Sequence, residues 1–163
     1  MKKIAIIIAS HQGLAQALTI HRELPETELF YAGEGQENPC TSINSIPAFV
    51  ATNFTCYEGL VFIGALGICV RSIAPCIHSK YTDPAVVNID STGKHVISVL
   101  SGHVGGANEL TRRLASILGA APVITTHSDN NYLWALDTIH ERFEGWIPEP
   151  VGPMNEIIYK FVN

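Results

Sequence analysis

The sequence predicts an α/β fold: an open, mostly parallel sheet flanked by helices, with one β-hairpin insertion. Three observations carry that expectation. Short, unbroken apolar runs at 4–9, 60–63 and 122–125 lack the alternation of half-exposed strands. They read as parallel strands buried on both faces and ending at one common edge. Segments of helical periodicity separate them, which is the strand–helix alternation of α/β domains. Finally, the turn DSTG at 90–93 joins two strand-like runs closely enough to make a hairpin.

Each element follows in order. Residues 4–9 form the first strand; its apolar run is too short for a signal peptide, and the turn SHQG at 10–13 breaks it. An amphipathic helix then runs to Glu23. Residues 28–32 read as the second strand, and 33–45, polar with Gly and Pro, as loop. A short helix is expected over 46–53. Residues 60–63 form a buried strand, GALG at 64–67 a turn, and 68–77 a helix interrupted at Pro75, which lacks an N–H. The hairpin pairs 84–89 with 94–100. A helix to Leu118 ends at Gly119, a residue suited to a left-handed cap, before the strand at 122–125. Residues 132–143 are expected to be helical. Past Gly145, WIPEPVGP carries three prolines in eight residues and reads as a linker, followed by an apolar, helix-like stretch at 154–162. The expected division is an α/β domain over 1–128 and the beginning of a further segment over 129–163, one piece of a larger assembly.

Composition narrows the function classes. The 163 residues are enough for one domain with a real core, and 47 % hydrophobic against 15 % charged implies heavily buried elements. A net charge of -5 without a basic cluster argues against nucleic acid and anionic membranes. No apolar run approaches the ~20 residues needed to cross a bilayer. Cys40, Cys56, Cys69 and Cys76 lack CxxC or zinc-site spacing and read as small core residues of a reducing cytoplasm.

Glycine turns carry the functional signal. In VLSGHVGGANEL, at 99–110, three glycines surround His103 between a strand and a helix. With SHQG, GALG and the TTHSD segment at 125–129, this makes four strand ends that lead towards helices. In open α/β sheets such turns gather at the carboxyl edge of the strands, where ligands bind. A helix N-terminus there offers unpaired N–H groups to an anion. The spacing matches neither GxGxxG nor GxxxxGK[ST], so a dinucleotide or P-loop site is weakly supported. If their strands are neighbours, His11, His103 and His127 could converge on a metal, though nothing in the spacing requires it.

The stretches GALGICVRSIAP and TDPAVVNIDSTGKHVISVLSGHVGGANELTRRLASILGAAPVITT, with Asp129, resemble the amino-terminal domain of the cobalamin biosynthesis protein G (CbiG) family of cobalt-precorrin-5A hydrolases. The resemblance runs from Leu60 to about Asp129; the first 59 residues share only the strand–helix layout. It implies hydrolysis of a δ-lactone on cobalt-precorrin-5A, with release of acetaldehyde, on the anaerobic route to vitamin B12. It also implies a carboxyl-terminal domain absent from this chain as a partner.

Such a substrate carries a fringe of carboxylates round a broad apolar face. Candidate substrate-binding residues are Gly64, Gly67, Arg71, Lys80, Asp83, Ser101, Gly102, Gly105, Gly106 and Asn108. Arg71 would add a bidentate partner, while Lys80 and Asp83 stand where the family motif also has Lys and Asp. Lactone opening needs an activated water and a stabilised oxyanion. On chemical grounds His103 is the candidate base, and the Gly105 and Gly106 amides are the oxyanion donors. Because cobalt arrives inside the substrate, no metal or cofactor of the protein's own is expected. Two alternatives stand beside this hydrolase reading: a non-catalytic corrinoid-binding module serving another enzyme of the pathway, and a small phosphate- or nucleotide-binding α/β enzyme.

Overall fold

The structure, a computed structural model, describes residues 3–33, 35, 37–126, 153, 156, 157, 159 and 160. The chain divides into two compact units, Met1–Val123 and Ile124–Asn163. The first contains seven strands and four helices: β1 (Ile4–Ile8), α1 (Leu14–Glu23), β2 (Thr27–Tyr31), β3 (Thr41–Ser42), α2 (Ile46–Asn53), β4 (Gly59–Ile63), α3 (Leu66–Ile73), β5 (Ala85–Ile89), β6 (His95–Leu100), α4 (Ala107–Leu118) and β7 (Ala121–Val123). Short 3-10 turns, His11–Gly13 and Ala74–Cys76, precede α1 and follow α3. In the second unit Glu156, Ile157, Tyr159 and Lys160 are helical, and the Pro153 carbonyl accepts from the amides of Glu156 and Ile157. The expected helix at 132–143 and the proline linker at 146–152 lie outside the described residues.

All strands join one sheet in the order β3-β2-β1-β4-β5-β6-β7. The apolar runs explain its centre. In β1, Ile6 and Ile8 face the side covered by α1 and α4, while Ala5 and Ile7 face the side covered by α2 and α3. Both faces being buried, no polar alternation is possible, and β4 and β5 are likewise buried along their length. Local chemistry sets the helix ends. The Ser45 hydroxyl accepts from the Ala48 amide to start α2. Pro75 ends α3 in its 3-10 turn, and Gly119, at φ 63°, closes α4 with the Ala120 amide donating to Ala115 at 2.9 Å.

The hairpin is present, and its consequence overturns one expectation. β6 runs antiparallel to β5, and β7 runs parallel to β6. β7 therefore points opposite to β1 and β4, instead of ending at their edge. Nor is it buried on both faces: Ala121 and Pro122 are exposed and Val123 is half-buried. One hairpin supplies one reversal, and the α4 crossover preserves direction, so everything after residue 90 enters the sheet reversed. The loop at 33–45 differs too, contributing the two-residue edge strand β3 beside β2.

Candidate functional site

The reversal separates the predicted site residues into two groups. Gly64, Gly67 and Arg71 follow β4, at the carboxyl edge of the parallel strands. Ser101, Gly102, His103, Gly105, Gly106 and Asn108 follow β6, at the amino edge, next to Asp83 at the start of β5. A five-residue strand spans about 16 Å, so the two groups do not form one pocket. His11, at the end of β1, likewise lies at the edge opposite His103, which corrects the convergent-histidine reading; His127 is outside the described residues. Among the described residues, no group of three or more His, Cys, Asp or Glu side chains could hold a metal ion.

The carboxyl edge is shaped by topology. β1 and β4 are neighbours, but the chain leaves β1 for α1 on one face and β4 for α3 on the other. In open α/β sheets that divergence marks the usual ligand position; here the space lined by Ile7, Ala9, Ile46, Gly64, Ala65 and Ile68 is closed to water-sized molecules. Gly64 sits at its floor with φ +152°, where a β-carbon would come within 2.9 Å of that of Ala9. Its amide donates to Ile89 at 2.9 Å, and the Asn88 side-chain amide donates to its carbonyl at 3.2 Å. Asn88 is buried, and its own carbonyl oxygen has no partner.

This asparagine was not singled out from the sequence. The available signal was a lone amide inside the apolar run AVVNI. α3 starts beside Gly64 without a side-chain cap. Arg71 folds back towards Gly67, its Nη1 only 3.2 Å from where a Gly67 β-carbon would stand. Arg71 has no carboxylate partner among the described residues. Burial pushes the Cys69 thiol up to about 12, which keeps it out of nucleophilic chemistry.

The amino edge is built differently. Ser101 is in the left-handed region at φ 58°, its hydroxyl buried and without a partner. The turn satisfies itself: the Gly106 amide donates to His103, Ala107 to Ser101 and Asn108 to Gly102, at 2.9–3.1 Å. The Gly106 amide, expected as an oxyanion donor, is thus already used; the Gly105 amide is not committed within the turn. A β-carbon on Gly105 would meet that of Ser101 at 2.3 Å and the Asp83 carbonyl at 3.3 Å. The Asn108 side chain accepts from Ser98 at 2.7 Å.

Asp83 organises the preceding loop, its carboxylate accepting from the amides of His78 and Ser79. Lys80 lies in that loop over the Tyr81 ring, 4.9 Å from its centre. Cavities of about 480 and 440 Å³ flank the turn, both lined by Glu58 and Gly105. Glu26 and Glu109 line the larger one, where Arg113 pairs with Glu26 at 3.5 Å. Tyr57, in the smaller, is pushed up to about 12 by burial and by its bond to Glu28, so it remains a donor. This edge is rich in carboxylates, which repel an anion.

An open doubly wound sheet with glycine turns at both edges defines an α/β domain of the class whose strand-end turns commonly bind small molecules. Residues 48–129 match the family described as Cobalamin synthesis G N-terminal. The chain belongs to that family, CbiG, and the matching window contains both glycine turns. It is 63 % identical over 86 residues to the cobalt-precorrin-5A hydrolase of Salmonella typhimurium, covering 53 % of this chain and 24 % of that protein. It is 39 % identical over 165 residues to that of Priestia megaterium, covering 98 % of this chain and 44 % of the relative. Among solved structures, a cobalamin biosynthesis protein G homolog from Sulfolobus solfataricus superposes with a TM-score of 0.61 at 27 % identity, over 98 % of this chain and 44 % of that one. The chain therefore spans less than half the length of these relatives.

Proposed function

We propose that this chain is the amino-terminal, substrate-holding part of a cobalt-precorrin-5A hydrolase, acting in the cytoplasm on an anionic corrinoid whose cobalt is part of the substrate. Water adds to the δ-lactone carbonyl, its proton passes to a base, and the ring oxygen leaves and is reprotonated. The freed hydroxyl then gives up its proton as its carbon becomes the carbonyl of acetaldehyde, the carbon–carbon bond to the macrocycle breaks, and the macrocycle keeps the electron pair and takes up a proton. The observation that carries this reading is the family match across both glycine turns. The Gly64–Arg71 turn supports it, because the Arg71 guanidinium, without a carboxylate partner among the described residues, can receive a carboxylate bidentately. His11, at the end of β1, is the base in this placement; His95, at the start of β6 and so at the same edge, is held by Asp90. The carboxyl-terminal part that the relatives have beyond the matched span is the expected partner.

A second placement rests on the left-handed Ser101 and its orphaned hydroxyl, since strain and unmade bonds gather at working sites. It sets the lactone at the amino-edge cavities, with His103 as base and Lys80, Ser101, Gly102, Gly105 and Asn108 around the ring. Steady-state acetaldehyde release separates the two. In the first placement, Arg71→Gln raises KM about ten- to a hundred-fold, His11→Ala lowers kcat by about two to four orders of magnitude, and His103→Ala changes little. The reverse pattern selects the second. Binding of the corrinoid without any acetaldehyde, in the chain alone and in the full-length protein, selects a non-catalytic module. Absence of binding in both overturns the proposal.

A further inference from the structure

Asn88 is the polar residue of the buried run AVVNI, and it needs a reason to be there. It is 1 % exposed, its Nδ2 donates to the Gly64 carbonyl at 3.2 Å, and its Oδ1 has no partner. An orphaned buried acceptor is costly, and an apolar residue of the same shape would avoid it. The bond to Gly64 is therefore what the amide supplies in return. Sheet topology explains why that bond comes from a side chain. β4 and β5 are parallel, and the Gly64 amide still donates to Ile89. β5 then ends, and the Asp90 amide donates to His95 as the chain turns into the hairpin. The ladder thus has no further donor for the Gly64 carbonyl.

That bond fixes a peptide plane. The carbonyl and the amide of a trans peptide point in opposite directions. With the Gly64 carbonyl held towards β5, the Ala65 amide points away from it, to the side of β1. Ala65 is exposed and precedes α3 at φ -67° and ψ 130°. The amides of Ala65, Leu66 and Gly67 have no acceptor among the described residues. Arg71 folds back towards the same turn. Free N–H groups beside a permanent cation select an anion, and a carboxylate has the two oxygens to meet both. We propose that Asn88 is a positioning residue for the carboxylate held at the Gly64–Arg71 turn, aiming the Ala65 amide so that it joins Arg71 in receiving one carboxylate of the macrocycle's rim. This rests on the first placement above and names what sets its geometry. Without the Asn88 bond the peptide rocks at Gly64, which has no side chain to restrain it, and the Ala65 amide loses its aim.

The test follows the backbone amides of the chain by heteronuclear NMR, with cobyrinic acid and its heptamethyl ester as probes. In wild type the acid shifts the Ala65, Leu66 and Gly67 amide resonances, and the ester leaves them in place. In Asn88→Leu, which keeps the strand apolar, the acid binds about tenfold more weakly and the Ala65 amide no longer shifts. In the full-length protein the same substitution raises KM for acetaldehyde release by a similar factor and leaves kcat as it was, a split that a general loss of structure does not give. Asn88→Ala, which removes the bond without crowding the strand, behaves alike and serves if the first variant does not fold. Acid binding that leaves all three wild-type amides unmoved overturns the inference, and that result needs no variant. Wild-type affinity in a folded Asn88 variant overturns it too; in both cases the corrinoid reading stands. No acid binding together with no acetaldehyde release removes the corrinoid reading and the inference with it.

Discussion

Gly105 and Gly106 are adjacent, yet they are glycine for different reasons. A β-carbon on Gly105 would meet the Ser101 β-carbon and carbonyl, neither of which can swing away. Gly106 has open space around that position, and its constraint is the backbone alone, at φ +81°. Gly105→Ala is therefore expected to destabilise the chain by about 2–3 kcal/mol, the cost of overpacking a rigid site. Gly106→Ala should cost only about 1 kcal/mol, the left-handed penalty. Urea denaturation of the two variants checks this; equal losses would mean that the turn relaxes around either methyl. The result also bears on the 101–108 motif. Its glycines are required by the packing of the turn on itself, which the sequence alone did not distinguish from close approach of a ligand.

At the level of elements, the β5–β6 hairpin is the feature on which the sheet depends. Its turn is held by Asp90, which accepts from the amides of Thr92 and His95 at 2.8 and 2.6 Å and from the Thr92 hydroxyl. Burial opposes the charged form of Asp90, but the bonds from Thr92 and His95 outweigh it and hold the carboxyl at about 2. The folded value lies below the ordinary carboxylate range near 3.9. The stabilisation is therefore fully present above that range and is lost as pH falls from about 4 towards 2. Asp90→Asn should lower stability at pH 7 by about 1 kcal/mol, since both carboxylate oxygens accept, so the amide keeps neutral bonds on one side only and loses the other, at a partly exposed turn. Below about pH 4 the gap to wild type should narrow. A constant gap from pH 7 to pH 3 would show that the charge of Asp90 does not hold the turn.

For the molecule as a whole, the reversed direction of β6 and β7 makes a prediction about coupling. Arg71 and His103 stand at opposite edges, and residues more than about 10 Å apart without shared partners act additively, to within about 0.5 kcal/mol. The losses in kcat/KM from Arg71→Gln and His103→Ala, converted to free energies, should therefore sum in the double variant. Coupling above about 1 kcal/mol would mean that one bound ring touches both, and that the sheet does not keep them apart in the complex. The same architecture explains the split electrostatics. The carboxyl edge carries Arg71, which has no carboxylate partner among the described residues, and Asp90, whereas the amino edge collects Glu26, Glu58, Asp83 and Glu109 beside Lys80 and Arg113.

Much of this was legible in the sequence because it is local. The runs IAIII, GLVFI and AVVNI report burial on both faces, Ser45 and Gly119 report helix ends, and DSTG reports the hairpin; each signal depends on a few neighbouring residues. The short helix over 46–53 was expected at the bounds it takes, and the family was readable from motifs that are contiguous in the chain. The hairpin already made β6 antiparallel to β5; the direction of β7 was not legible, because a short apolar run packs equally well pointing either way. Only the hairpin's single reversal, carried through α4 into β7, decided that the 101–108 turn faces the amino edge. Nor could the sequence decide which glycine turn has donors left for a ligand. That depends on where the Gly106 amide and the Asp83 carboxylate find partners, and on Arg71 finding none among the described residues. Local pattern determined which segments are buried and where they stop; long-range pairing determined which of their ends meet.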